Sequence, residues 1–169
     1  MRGDNWAGLW YRRYRGAAYV FALGALVWTA AMVLPFAPFS DAPPILVGGG
    51  PGVWLLVGYV LFVAVGIGGF GAMTSFLVGV ELHEKRSVDS RLMWPATALL
   101  VVGFVGSCVL LGVAGAVGGY DSTFQSASAQ AIDGVLSPFV YPITSLVLIT
   151  VIGAALAVVA LVRARWPSD

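Results

Sequence analysis

The sequence predicts an all-α polytopic membrane protein: a four-transmembrane-helix bundle with short interfacial helices and both termini on the cytoplasmic side (N-in/C-in). Three observations predict this fold class: four long apolar runs, a composition too poor in charge for a soluble domain, and the placement of the basic residues. The runs cover residues 16–36, 53–80, 93–118 and 139–162. Each reaches the roughly 20 residues that a helix needs to cross about 30 Å of hydrocarbon.

The composition is typical of a protein that lies mostly within a bilayer. Hydrophobic residues make up 59% of the 169 residues and charged residues only 10%, and the mean hydropathy is +0.91. In soluble domains about a quarter of the residues are charged. Because the four runs account for most of the sequence, we expect one membrane domain over residues 1–169.

All nine lysine and arginine residues fall on one side of the predicted bundle. They lie before the first run, between the second and third, and after the fourth: Arg2, Arg12, Arg13, Arg15, Lys85, Arg86, Arg91, Arg163 and Arg165. Loops rich in Lys and Arg stay in the cytoplasm, so we expect a multi-pass protein of the cell membrane with both termini cytoplasmic. The basic residues are thinly spread at the membrane edge, and we expect no nucleic-acid partner.

The segment before the first run predicts a short helix at the membrane surface. Trp6, Trp10 and Tyr14 recur at intervals of four residues, which places three aromatic rings on one helical face beside arginines. Such rings anchor proteins at the level of the lipid headgroups. A partly ordered tail that carries an aromatic belt is the alternative interpretation.

The two connections without basic residues are unusually apolar for loops that face water. In the second connection, Ser122 and Gln125 have the spacing of a capping box, and the apolar residues that follow recur in a helical pattern that predicts a short amphipathic helix. We expect four outer side chains to pack on the helix ends, on the membrane or on a partner. They are Ile45, Leu46, Phe124 and Ile132.

Small residues recur at helical spacing in the second and third runs. Those of the second run are Gly68, Gly71, Ser75 and Gly79, and those of the third are Gly103, Ser107, Gly112 and Ala116. In a membrane, rows of this kind let two helix backbones approach closely. The rows therefore predict that the second and third spans form a tightly packed antiparallel pair.

No Asp, Glu, Lys, Arg or His lies in the central part of any run. Ionisable residues are expensive inside a bilayer and mark ion pathways and proton relays, so this pattern argues against a proton-coupled multidrug exporter. It also argues against a four-helix b-type cytochrome, which needs facing histidine pairs. The single cysteine, Cys108, cannot form an intrachain disulfide. The sequence therefore favours a non-enzymatic protein, and we predict no catalytic residue and no cofactor.

One local cluster of ionisable side chains follows the second run. Glu81, His83 and Glu84 stand beside Lys85 and Arg86, and His83 with either glutamate could contact a metal or a haem. One histidine and two flexible carboxylates form an incomplete ligand set, which favours a salt-bridged helix end in which Glu81 pairs with Lys85. A docking site for the inner loop of a partner is the third interpretation.

These observations predict a small integral membrane protein that serves as a non-catalytic accessory or structural subunit of a larger membrane complex. The residues do not select a respiratory, redox or transport host. Its partners would be the lipid bilayer and other membrane subunits, or further copies of the same chain. One alternative is a small permease or channel for an uncharged solute, which needs no buried charge. A second alternative is a cofactor-binding membrane protein that uses His83.

Overall fold

The computed structural model describes residues 9–34 and 40–166. Within these ranges the chain is helical and contains no strand. Four helices are long and apolar enough to cross a membrane, and they are Leu9–Val33, Gly50–His83, Ser90–Phe124 and Ala129–Arg165. The four predicted spans are thereby confirmed, and the last three helices extend beyond the apolar runs that predicted them.

The first span is helix α1 (Leu9–Val33), and its first turns replace part of the predicted surface helix. Trp6 lies outside the described residues. Trp10 and Tyr14 belong to α1, which continues without a break, and each side chain is only 2% exposed. These two rings therefore pack against the rest of the bundle, and their level relative to the lipid headgroups stays a prediction.

The connection between the first and second spans contains a short helix, α2 (Ala42–Val47), followed by a 3-10 turn over Gly50–Gly52. Pro43 and Pro44 fall in the first turn of α2, where a missing N–H group costs little. Ile45 of this helix is 5% exposed. The connection therefore folds back onto the helix ends through at least this side chain.

The second span alternates between two kinds of helix. Helices α3 (Val53–Leu61) and α4 (Phe70–Leu77) are joined by a π-helical segment over Phe62–Gly69, and a second π-helical segment covers Val78–His83. π-Helical turns are rare and are frequent at functional sites. A π-helical turn contains more residues than an α-helical turn. Each segment therefore rotates the residues that follow it, and different side chains face the bundle than in a continuous α-helix.

The third and fourth spans, α5 (Ser90–Phe124) and α6 (Ala129–Arg165), pack side by side. The contact is close at two glycines. A Cβ atom at Gly103 would stand 2.5 Å from the carbonyl oxygen of Leu146, and one at Gly153 would stand 2.9 Å from that of Ala96. Glycine at these positions lets the two backbones touch.

The turn between α5 and α6 is shorter than the sequence predicts, and no separate helix lies within it. α5 continues through Ser122, so the predicted capping box is wrong. Ser128 is the N-cap of α6, and its hydroxyl accepts a hydrogen bond of 3.3 Å from the N–H of Ala131. Near the end of α5, Gly119 packs against Ile45. This contact stabilises the last turns of the helix, which therefore continues beyond the apolar run.

Aromatic side chains fill the core between the first three spans. The ring centroids of Phe21 and Phe70 are 4.8 Å apart, and those of Phe62 and Phe104 are 5.6 Å apart. Gly66 makes room for this cluster, because a Cβ atom there would stand 3.0 Å from that of Phe21. The core therefore fixes the rotation of the second span, turning α4 so that Phe70 and Leu77 face inward.

Candidate functional site at the basic end of the bundle

Three segments that carry lysine and arginine meet at one end of the bundle, which we call the basic end. It comprises the start of α1, the connection over residues 84–89, and the end of α6. Arg86 donates hydrogen bonds to the backbone carbonyls of Ala164 (3.4 Å) and Arg165. A cation is favourable there, because the last carbonyls of a helix carry partial negative charge.

Glu81 caps the N-terminus of α1. Its side chain is 3% exposed, and its carboxylate accepts hydrogen bonds from the backbone N–H groups of Tyr11 (3.0 Å) and Trp10 (3.4 Å). The first N–H groups of a helix have no partner within it, and the helix dipole favours an anion beside them. The predicted pair with Lys85 is wrong, since no ion pair joins the two among the described residues.

Trp10 and Arg13 connect α1 to the start of α5. The indole N–H of Trp10 donates to the Ser90 hydroxyl at 3.1 Å, and its ring meets that of Trp94 edge to face at 5.5 Å. The Arg13 guanidinium lies 4.8 Å and 4.6 Å from these two ring centroids, within cation–π range. The basic end is therefore fixed by both polar and aromatic contacts.

Glu84 lies between two arginines. Its carboxylate oxygens are 3.6 Å from Nε of Arg165 and 3.9 Å from Nε of Arg86. All three side chains are partly exposed, so each pair contributes only about 0–1 kcal/mol to stability. The triad nevertheless joins the second span to the end of α6 and carries a net charge of about +1 from two guanidinium groups and one carboxylate.

His83 is exposed, and its Nδ1 atom lies 3.2 Å from the carbonyl oxygen of Val78. Glu81 faces the start of α1 and Glu84 faces the arginines, so these three side chains have separate partners. Across the described ranges, no group of three His, Cys, Asp or Glu side chains is placed to hold a metal ion. Cys108 is fully buried within α5.

A groove of about 730 Å³ runs between α4 and α6 and reaches the basic end. The α4 wall combines the small residues Ala72 and Ser75 with the larger Met73 and Phe76, and valine, leucine, alanine and threonine form most of the α6 wall. Phe70, Tyr14 and Leu100 also line it. Apart from a few hydroxyl groups, the groove is apolar until Glu84, Arg165 and Trp166, where it becomes charged and aromatic.

The small residues of the second span form an exposed row that we call the open face. It comprises Gly68, Gly71, Ser75 and Gly79. A Cβ atom at any of the three glycines would find no neighbouring atom within 4 Å, and Ser75 is exposed. Phe70 and Leu77, in contrast, are 2% and 0% exposed. The row therefore leaves open space where the sequence predicts a contact with the third span.

The small residues of the third span are packed, but against several neighbours. Gly103 meets α6, whereas a Cβ atom at Gly112 would stand 3.1 Å from the Trp28 ring of α1. Ser107 is 1% exposed and donates a hydrogen bond of 2.9 Å to the carbonyl oxygen of Phe104. Ala116 is half-buried.

Close contact between the second and third spans depends on glycines that the row pattern does not include. A Cβ atom at Gly58 would stand 3.0 Å from the carbonyl oxygen of Cys108, and one at Gly115 would stand 2.8 Å from the Cα atom of Leu55. Gly115 stands four residues before Gly119, and this small-residue spacing is a signal that could have found it. Gly58 has only bulky residues three and four positions away, so its residue type is the only signal.

The outer side chains singled out by the sequence differ in their surroundings. Ile45 is buried, and a Cβ atom at Gly52 would stand 3.1 Å from its Cγ2 atom. Leu46 and Ile132 are half-buried. Phe124 is 48% exposed, and its ring centroid lies 5.1 Å from that of Tyr120. Ile45 therefore packs on the chain itself, and Phe124 stays accessible.

No protein-family model matches this chain, and comparison with curated proteins and with solved structures found no similar protein. The basic end, the groove and the open face are the structural features that bear on its function.

Proposed function

We propose that this protein is a non-catalytic integral subunit of a larger membrane complex and binds a transmembrane helix of another subunit on its open face. The observation that carries the proposal is the empty space beside Gly68, Gly71 and Gly79. In a bilayer, hydrophobicity does not drive helices together, so association depends on close van der Waals packing. A face without side chains allows a partner backbone to approach closely.

The cost of these glycines supports the proposal. Glycine in a helix interior is about 1 kcal/mol less favourable than alanine, and several glycines of this bundle are offset by tight contacts such as that of Gly103. Gly16 and Gly134 also face open space, but each stands alone on its helix. The glycines of the open face have no such contact within the chain. A helix from outside the chain would supply it.

Affinity purification from native membranes in mild detergent tests the proposal. The test variant is Gly68→Leu combined with Gly71→Leu, and the matched control is Ala30→Leu, at an exposed position of α1. We expect the wild type and the control to retain larger subunits and the double variant to lose them, at an unchanged thermal unfolding temperature. Leucine side chains would hold the partner backbone away.

Two results would contradict this proposal. Retention of the same subunits by the double variant would show that the open face is not the contact. A wild-type chain that purifies only as a small homo-oligomer would instead favour the alternative of a permease for an uncharged solute.

We also infer that the basic end faces the cytoplasm of a cell with this protein in its plasma membrane, because Lys and Arg are retained on that side. Ser87→Cys at the basic end and Ser128→Cys at the outer turn test this in a Cys108→Ser background. In intact cells an impermeant thiol reagent should label Ser128→Cys, and Ser87→Cys only after permeabilisation. The reverse pattern would overturn the orientation.

A further inference from the structure

The groove between α4 and α6 is as long as one leaflet of a bilayer. Its α6 wall runs from Thr150 to Arg165, which is about 22 Å of helix at 1.5 Å per residue. Half of a bilayer, headgroups included, measures about 20–22 Å. At Thr150, the end of the groove farthest from Arg165, α5 and α6 come into direct contact at Gly103 and the groove ends. A helix that crosses the membrane would outrun the groove, whereas a lipid of one leaflet would fill it.

The chemistry of the groove changes along its length as that of a phospholipid does. Valine and leucine side chains line its α6 wall in the membrane interior, where Ala154 leaves room. At the basic end it meets Arg165 and Trp166, residue types that occur at headgroup level. Arg86 and Arg165 share the single carboxylate of Glu84, so one positive charge is left over.

We propose that this groove binds one anionic glycerophospholipid of the leaflet at the basic end. An acyl chain would lie between α4 and α6, and the phosphate would lie against Arg86 and Arg165. Basic pockets between transmembrane helices bind anionic headgroups in this manner. Gly68 and Gly71 of the open face lie outside the groove, whereas Ser75 and Gly79 line it. The tests therefore use the purified chain, in which no partner helix competes for these two residues.

Native mass spectrometry of the purified full chain tests the proposal with two lipids that share the same acyl chains, palmitoyl-oleoyl phosphatidylglycerol and palmitoyl-oleoyl phosphatidylcholine. We expect phosphatidylglycerol to bind about fivefold or more tightly, the effect of one cation near a headgroup. Glycerol 3-phosphate, which has the headgroup chemistry without the chains, should not displace it. Equal binding of both lipids, or displacement by glycerol 3-phosphate, would overturn the proposal.

Matched variants separate the headgroup contact from general charge. Arg165→Gln should abolish the preference for phosphatidylglycerol, Arg165→Lys should keep most of it, and Arg163→Gln, on the same helix but outside the groove, should keep it. An equal loss in Arg163→Gln and Arg165→Gln would contradict the site. Thermal unfolding of each variant shows whether the bundle is intact.

A second pair tests the acyl-chain part of the groove. Ala154→Leu should weaken both lipids, because its side chain enters the groove, whereas Ala155→Leu, at an exposed neighbouring position outside the lining, should leave both unchanged. Unchanged lipid binding in a folded Ala154→Leu variant would overturn the assignment of the acyl chain to this groove.

Discussion

Glycines on two surfaces of this bundle have opposite surroundings. In the contact between α5 and α6, a Cβ atom at Gly103 would stand 2.5 Å from a backbone oxygen of the other helix. On the open face of the second span, a Cβ atom at Gly71 would find nothing within 4 Å. Glycine at similar helical spacing thus lies in a close helix–helix contact on one surface and beside open space on the other.

The difference shows that a small-residue row predicts close packing without saying which helix supplies the neighbour. In the second span, large aromatic residues decide the rotation, since Phe70 and Phe62 occupy the core. The small residues of the second span then lie on the side of the helix that faces away from the aromatic core. In α5 no such competition arises at Gly103, and the row meets its neighbour within the chain.

The largest expected effect is at Gly103. Gly103→Ala should destabilise the bundle by about 3 kcal/mol, because the added Cβ atom meets backbone that cannot move aside. At Gly106, one turn along, the Cβ atom would meet only the end of the Leu146 side chain at 3.0 Å. Thermal or denaturant unfolding in detergent should therefore show little change for Gly106→Ala. Equal losses in both variants would contradict the close α5–α6 contact.

The two glutamates of the basic end repeat the comparison between a packed and an open surface. Glu81→Ala should cost about 1–3 kcal/mol, since the N–H groups of Trp10 and Tyr11 would be left without a buried partner. Glu84→Ala should cost at most about 1 kcal/mol. Both are measured by unfolding in detergent. A larger loss for Glu84→Ala would reverse the assignment of the cap.

A smaller effect is expected where α1 meets α5. The Tyr14 hydroxyl lies 2.7 Å from that of Thr97, which also donates to the carbonyl oxygen of Met93. Thr97→Val keeps the shape and should cost about 0.6 kcal/mol, the average for a hydrogen bond between membrane helices. Thr144→Val, at an exposed threonine whose hydroxyl bonds only within its own helix turn, is the control. The same unfolding measurement should separate the two.

The last expected effect on stability has the opposite sign. Gly71→Ala adds a methyl group to open space and restricts the unfolded chain, so the isolated subunit should gain up to about 1 kcal/mol. Destabilisation of the purified chain would show that Gly71 has a neighbour in the bundle. This measurement concerns the chain alone and is separate from its association with partners.

The hydropathy and charge of the sequence predict the four spans, because a helix must hide its backbone from hydrocarbon whatever its neighbours are. They do not predict the rotation of each helix, which depends on how the aromatic core fits together. That is why Gly68, Gly71 and Gly79 were expected against the third span and lie beside open space instead. It is also why the packing of Trp10 inside the bundle did not follow from the sequence.

The candidate site was less predictable than the spans. Lys85 lies four residues after Glu81, and that local spacing predicts a pair, yet the carboxylate binds N–H groups of α1 instead. Only the fold brings these groups together. The groove could not be predicted either, because its walls come from helices far apart in sequence.

The cap on α1 has a consequence for how the protein is made. Glu81 is 71 residues downstream of Trp10, whose N–H it accepts. At a synthesis rate of about 5–20 residues per second, the ribosome needs about 4–14 s to reach it. Until then the N–H groups of Trp10 and Tyr11 lack the carboxylate that accepts from them in the folded chain. The first span is therefore completed late, by the last turn of the second.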